Sequence, residues 1–303
     1  MIDYDPHDWR SHLFDIKGSM LREIRLRIFI PLLWAAAVTG AYEYWQWNVK
    51  VADRHVMLPT TIHVLIGTAL GMLLVFRTNS SYDRFWEGRK MWGCIINECR
   101  NLARLGSIEL VGVPDLKQRM FSWLSVFPVA CMHKLRGTVK ELGPACDQVP
   151  PDELKRALGQ QNVPLAFARQ ITSCLVEARR RGAISEYLFV ALDQNVQLLV
   201  DYLGACERIH RTPMPFAYMV HVRRVILIYC YSLPFALVRE FGWWTIPATL
   251  FVAFTLLGIE EIGVEIEDPF GTDDNDLPLE QFCATIRRNV EEMGNVPAER
   301  IST

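Results

Sequence analysis

Five carboxylates crowd one short stretch of this 303-residue chain: Glu260, Glu261, Glu265, Glu267 and Asp268. Paired acids could protonate a leaving group and activate water, as in glycoside hydrolysis. They could also hold two divalent metals. The plainer reading places them at the mouth of a membrane-spanning segment or at contacts between subunits. Other catalytic constellations are missing. The seven histidines (7, 12, 55, 63, 133, 210 and 221) form no HExxH and no close triad. The eight cysteines form no CxxC and no zinc-spaced cluster, so they read as small hydrophobes in a reducing compartment. A net charge of -2 gives no basic field for nucleic acid, and no nucleic-acid partner is expected.

A second pattern suggests passage rather than turnover. Residues 64–93, VLIGTALGMLLVFRTNSSYDRFWEGRKMWG, begin uncharged and apolar and become ionic at Arg77, with no proline between. On a helix, Ile62, Ile66 and Leu70 recur at i, i+4 and i+8. Gly67, Ala69 and Gly71 let neighbouring helices approach closely within a bilayer. Ordinary packing, against lipid or a core, is the plain account of such a stripe. Several copies donating this helix to one axis would instead form a hydrophobic constriction above a polar vestibule, of the kind that gates by dewetting.

Half the residues are apolar and 11% are aromatic, with mean hydropathy just above zero. A chain divided between bilayer and water averages out this way. Four apolar stretches, 28–47, 58–76, 214–238 and 241–259, approach the roughly 20 residues a spanning helix needs. Lys and Arg cluster before the first stretch and after the second (Arg22, Arg25, Arg27; Arg77, Arg84, Arg89, Lys90). The intervening loop carries only Lys50 and Arg54, and the last connection only Arg239. The positive-inside rule puts both termini and the long middle in the cytoplasm. The alternative is four buried helices of a large soluble core. The N-terminus lacks the basic-then-apolar pattern of a cleaved signal peptide.

The expected organisation is a cytosolic N-terminal segment 1–27, spans one and two in 28–76, and a cytosolic helical region 77–213. Spans three and four follow in 214–262, then an acidic segment and helix in 263–303. Residues 165–208 show helical periodicity with a Gly break near 182, and 279–293 read as an amphipathic helix. No strand alternation appears. His63 could face the outer pore entrance or simply pack. Arg223 and Arg224 read as interface residues meeting headgroups or inter-subunit acids, since charge at mid-bilayer is expensive.

FRTNSSYDRFWEGRKMWG (76–93) resembles the signature after the second membrane helix in bacterial members of the bestrophin family. So do DWRSHLFDIKGSMLREI (8–24), CERIHRTPMPFAY (206–218) and IEDPFGTDDND (266–276), in the family's order and across nearly the whole chain. The resemblance implies an all-α fold: a homopentameric ion channel of four-span subunits with a large helical cytosolic region, multi-pass in a bacterial inner membrane. It implies a hydrophobic neck at Ile62, Ile66 and Leu70. A second restriction follows the RRRGAISEYL turn, at Leu188, with Ile184 in reserve. No cofactor is required. Calcium ligands in eukaryotic relatives match Asp268, Asp273 and Asp276, oxygen donors of the kind calcium takes, although Thr272 and Asn275 stand where acids would be. Aliphatic neck residues match bacterial relatives that pass monovalent cations such as sodium and potassium. Eukaryotic relatives with aromatic necks pass chloride and other anions. An enzyme or scaffold built on the acidic cluster remains the rival class. A transporter would want an inverted repeat, which the chain lacks.

Overall fold

The computed structural model describes residues 20–49, 58–142 and 146–295. The N-terminal motif around 8–19, the loop residues Lys50 and Arg54, and the last eight residues lie outside that set. All regular structure among the described residues is helical. The order is α1 (Leu21–Val49), α2 (Thr60–Glu109), α3 (Pro114–Leu135), α4 (Pro151–Leu158) and α5 (Val163–Arg180). Then follow α6 (Glu186–Arg211), α7 (Phe216–Phe241), α8 (Thr245–Glu265) and α9 (Leu279–Asn295).

Three stretches, 21–48, 60–109 and 216–265, are long and apolar enough to cross a membrane by length and composition. The third is broken into α7 and α8 at Gly242, whose φ of 51° lies where side-chain-bearing residues are strained. α1 starts ahead of its apolar run and carries Arg22, Arg25 and Arg27 within the helix. α2 is the longest element at 50 residues, about 75 Å of rise. A hydrocarbon core is only about 30 Å thick, so the ionic part of α2 must project beyond it.

The chain packs as two units, the first comprising residues up to 85 with 213–268 and 273–275. Within it α1, α2, α7 and α8 alternate in direction. Trp34 of α1 donates to the Tyr231 carbonyl of α7 at 2.9 Å, and the Tyr218 hydroxyl of α7 donates to the Leu73 carbonyl of α2 at 2.8 Å. A Cβ at Gly67 would lie 2.8 Å from the Tyr229 hydroxyl, so glycine sets that α2–α7 approach. The core joins all four helices through Ile24, Ile28, Leu70, Leu74, Ile226 and Leu257.

The second unit comprises 86–212, 269–272 and the residues from 276. Its centre is α3, whose Trp123 meets Phe167 of α5 edge-on at 4.9 Å between ring centroids. Asn162 and Ser185 cap α5 and α6 by accepting from the backbone amides of Leu165 and Leu188. Between those helices the chain turns at Gly182 with φ 71°, where the sequence placed its break. Arg136 donates to the Phe270 carbonyl at 3.1 Å and pairs with Glu280. Burial pushes the thiols of Cys206 and Cys283 up to about 12, so they sit as neutral apolar groups.

Candidate pore helix and ionic collar

The apolar half of α2 has two unlike faces. His63, Leu70, Leu74 and Arg77 are buried, at spacings of seven, four and three that keep them on one side of a helix. The other side leaves Leu65, Met72, Val75 and Phe76 open. Ile62 and Ile66 lie at the border of that open side, 48% and 41% exposed.

Leu70 departs from the expected stripe. It is 0% exposed and belongs to the core between α1, α7 and α8. The reason is angular. At about 100° per residue, eight residues overshoot two turns by about 80°, enough to carry the third member from the open side to the closed one. Ala69, seven residues after Ile62, is exposed and holds the stripe that Leu70 leaves.

His63 also faces inward. Its Nε2 lies 3.0 Å from the Ser232 hydroxyl, and its ring stands 5.6 Å from that of Tyr229. It pins α2 to α7 within the subunit rather than facing an open passage.

Where α2 turns ionic, the charges are enclosed. Arg77 is only 1% exposed and Glu260 only 2%. Arg77 Nη2 lies 3.7 Å from Glu260 and 3.8 Å from Glu267, and the guanidinium also touches the Met219 sulfur. Arg223 donates to Glu260 at 2.8 Å, and Arg27 pairs with Glu261 at 2.5 Å. Glu267 also accepts from the Met214 amide at 2.8 Å, while its carbonyl accepts from Arg84 at 3.1 Å. Buried charges persist only when paired. This ionic collar therefore ties α2 to α7, α8 and, through Arg27, α1.

Arg223, expected at headgroups or inter-subunit acids, finds its carboxylate partner in the same subunit. A signal was present. Arg223 and Glu260 stand almost equally far along the chain from Gly242, so a hairpin folding there brings them level. The carboxylates also lose their enzymatic reading here, because Glu260 is spent on guanidinium groups.

The other expected sites fare differently. Leu188 sits half-buried in the first turn of α6, beside the open Tyr187 and Val190. Ile184 is buried just before that helix, so it serves the unit's own packing. In the acidic run, Asp273 is exposed, whereas Asp276 is buried and a Cβ at Gly271 would meet its carboxylate. Glu265 instead accepts from the Asn275 side chain at 2.9 Å. Among the described residues no three His, Cys, Asp or Glu side chains gather as a metal ion needs. Asp268, Asp273 and Asp276 are thus not gathered as three side-chain ligands, and no step is derived through calcium.

All-helical regular structure among the described residues, with stretches apolar and long enough to cross a membrane, defines the class of α-helical membrane proteins. The model of the bacterial and fungal bestrophin proteins matches residues 1–292, and the chain belongs to that family. A Nostoc protein called voltage-dependent anion channel-forming protein alr2987 is 40% identical over 291 residues, 94% of this chain and 91% of that one. The Escherichia coli K12 protein YneE, named in the same way, is 30% identical over 306 residues, 99% of this chain and 97% of its own. The crystal structure of a bacterial bestrophin homolog from Klebsiella pneumoniae superposes with a TM-score of 0.81 at 30% identity, covering 90% of this chain and 99% of that one.

Proposed function

We propose that five copies of this chain surround a common axis in a bacterial inner membrane and pass small monovalent cations, with both termini cytoplasmic. The observation that carries the reading is the divided surface of α2. One side is committed to the subunit through His63, Leu70, Leu74 and Arg77, and the other is apolar, uncharged and open. In lipid alone such a face is unremarkable. Small residues beside it, Gly67, Ala69 and Gly71, favour close approach of further helices. We assign the neck to Ile62 and Ile66, with Ala69 on the same stripe in place of Leu70. Leu188 forms the second restriction, and the division at 27, 76, 213 and 262 marks the membrane boundaries.

An aliphatic neck has no charge with which to choose ion sign, so the choice falls to polar groups flanking it. A second reading, anion conduction, is favoured by the names of the Nostoc and Escherichia coli relatives. The test is reconstitution in planar bilayers under asymmetric NaCl. A reversal potential displaced toward that of sodium supports the proposal. Displacement toward chloride replaces it with the anion reading, and absence of current in active-folded oligomers removes both.

A further inference from the structure

On the surface of the first unit, α1 and α8 leave a groove of about 550 Å³. Its walls are Leu21, Ile28, Leu250, Phe251 and Phe254, with Arg25 beside them. Phe251 and Phe254 are exposed, as is Arg25. Unlike Arg27 two residues on, which pairs with Glu261, Arg25 has no acidic partner among the described residues. Both helices belong to stretches able to cross a membrane; in a bilayer the walls from Ile28 onward would face hydrocarbon, while Arg25, ahead of the boundary at 27, would lie at headgroup level. Arg25 lies towards the end of α1 that carries the ionic collar, since Ile24 meets Gly258 there. The positive-inside rule puts that end at the cytoplasmic leaflet.

We propose that this groove binds one anionic phospholipid per subunit, an acyl chain lying on Ile28, Leu250, Phe251 and Phe254 and the headgroup phosphate on Arg25. The chemistry of each part matches. A guanidinium offers a planar fork of donors to phosphate oxygens. Basic pockets between spanning helices on the cytoplasmic side are where anionic headgroups collect. A helix of another copy is the poorer occupant, because close helix contacts in bilayers use small residues and this groove is walled by leucine and phenylalanine. The inference rests on membrane insertion, not on conduction.

The test is native mass spectrometry of the full chain in detergent, titrated with phosphatidylglycerol or phosphatidylcholine. Wild type should bind phosphatidylglycerol about five-fold more tightly, the value of one basic charge at a membrane surface. Arg25→Gln should remove that preference while phosphatidylcholine binding stays. Leu250→Trp, which fills the groove, should weaken both lipids. The oligomer mass in the same spectra reports whether each variant has folded, and a monomer would count against the pentamer without touching the lipid result. Undiminished phosphatidylglycerol preference in Arg25→Gln overturns the proposal. So does Cys–Cys cross-linking between copies through Phe251→Cys, which would show protein in the groove.

Discussion

The two units of this chain invert one another. In the first, leucine, phenylalanine and tryptophan lie open while Arg77 and Glu260 are enclosed. In the second, Trp92, Trp123 and Phe127 are enclosed, and ion pairs such as Arg181–Asp115 and Arg287–Asp147 sit at the surface. The same residue types take opposite places in the two, as an exchange of water for hydrocarbon around the first would require. Water drives apolar side chains inward, whereas hydrocarbon removes that drive and makes every exposed charge expensive. Inversion within one chain is therefore a physical record of where the bilayer stops.

The sharpest way to break this contrast is to unpair a buried charge. Glu260→Ala should destabilise the first unit by about 3–5 kcal/mol, because Arg77 and Arg223 lose their shared carboxylate. Thermal unfolding in detergent reads it, and a variant as stable as wild type would mean that water reaches the collar. In the second unit the matching blow is apolar. Trp123→Ala should cost a similar amount, about 3–5 kcal/mol, by opening a cavity against Phe167.

The two faces of α2 give the next contrast. Leu70→Ala should cost about 2–5 kcal/mol and leave single-channel conductance near wild type. Ile66→Ala should cost much less stability and raise conductance, as widening a neck would. Equal effects from both would dissolve the distinction between the closed and open faces.

The smallest effect belongs to the surface ion pairs. The hydrogen bond from Arg181 holds the Asp115 carboxyl below its usual range. A depressed folded pKa stabilises above the unfolded value, and that stability fades as pH falls through the folded one. Arg181→Gln should therefore lower the melting temperature slightly at neutral pH and not at all once Asp115 is protonated. An undiminished difference in acid would assign the effect to packing by the Arg181 stem.

Much of this was written plainly in the chain. Hydropathy found the apolar stretches that α1, α2, α7 and α8 contain. The ionic turn at Arg77 marked where α2 continues beyond an apolar segment. Positive φ at Gly182 fell where a helix break was expected. What the sequence concealed was angular and long-range. Ile62, Ile66 and Leu70 look equivalent at intervals of four, yet the drift of a straight helix separates the last from the others. Arg223 finds Glu260 only through a hairpin, and Arg77 reaches both Glu260 and Glu267 only once α2 lies beside α8. In the acidic run Asp276 folds inward and Asp273 outward, a difference their spacing does not announce.

In the proposed channel the open face of α2 borders the ion path, while the face of α8 carrying Phe251 borders lipid. Cysteines introduced singly at Ile66 and Phe251 test it, with a charged, water-soluble thiol reagent applied during current recording. The wild-type background is suitable, since seven of its eight cysteines are buried and Cys94 is half-buried. Ile66→Cys should be blocked rapidly and irreversibly, and Phe251→Cys should show no response. Block at 251 with none at 66 would contradict it.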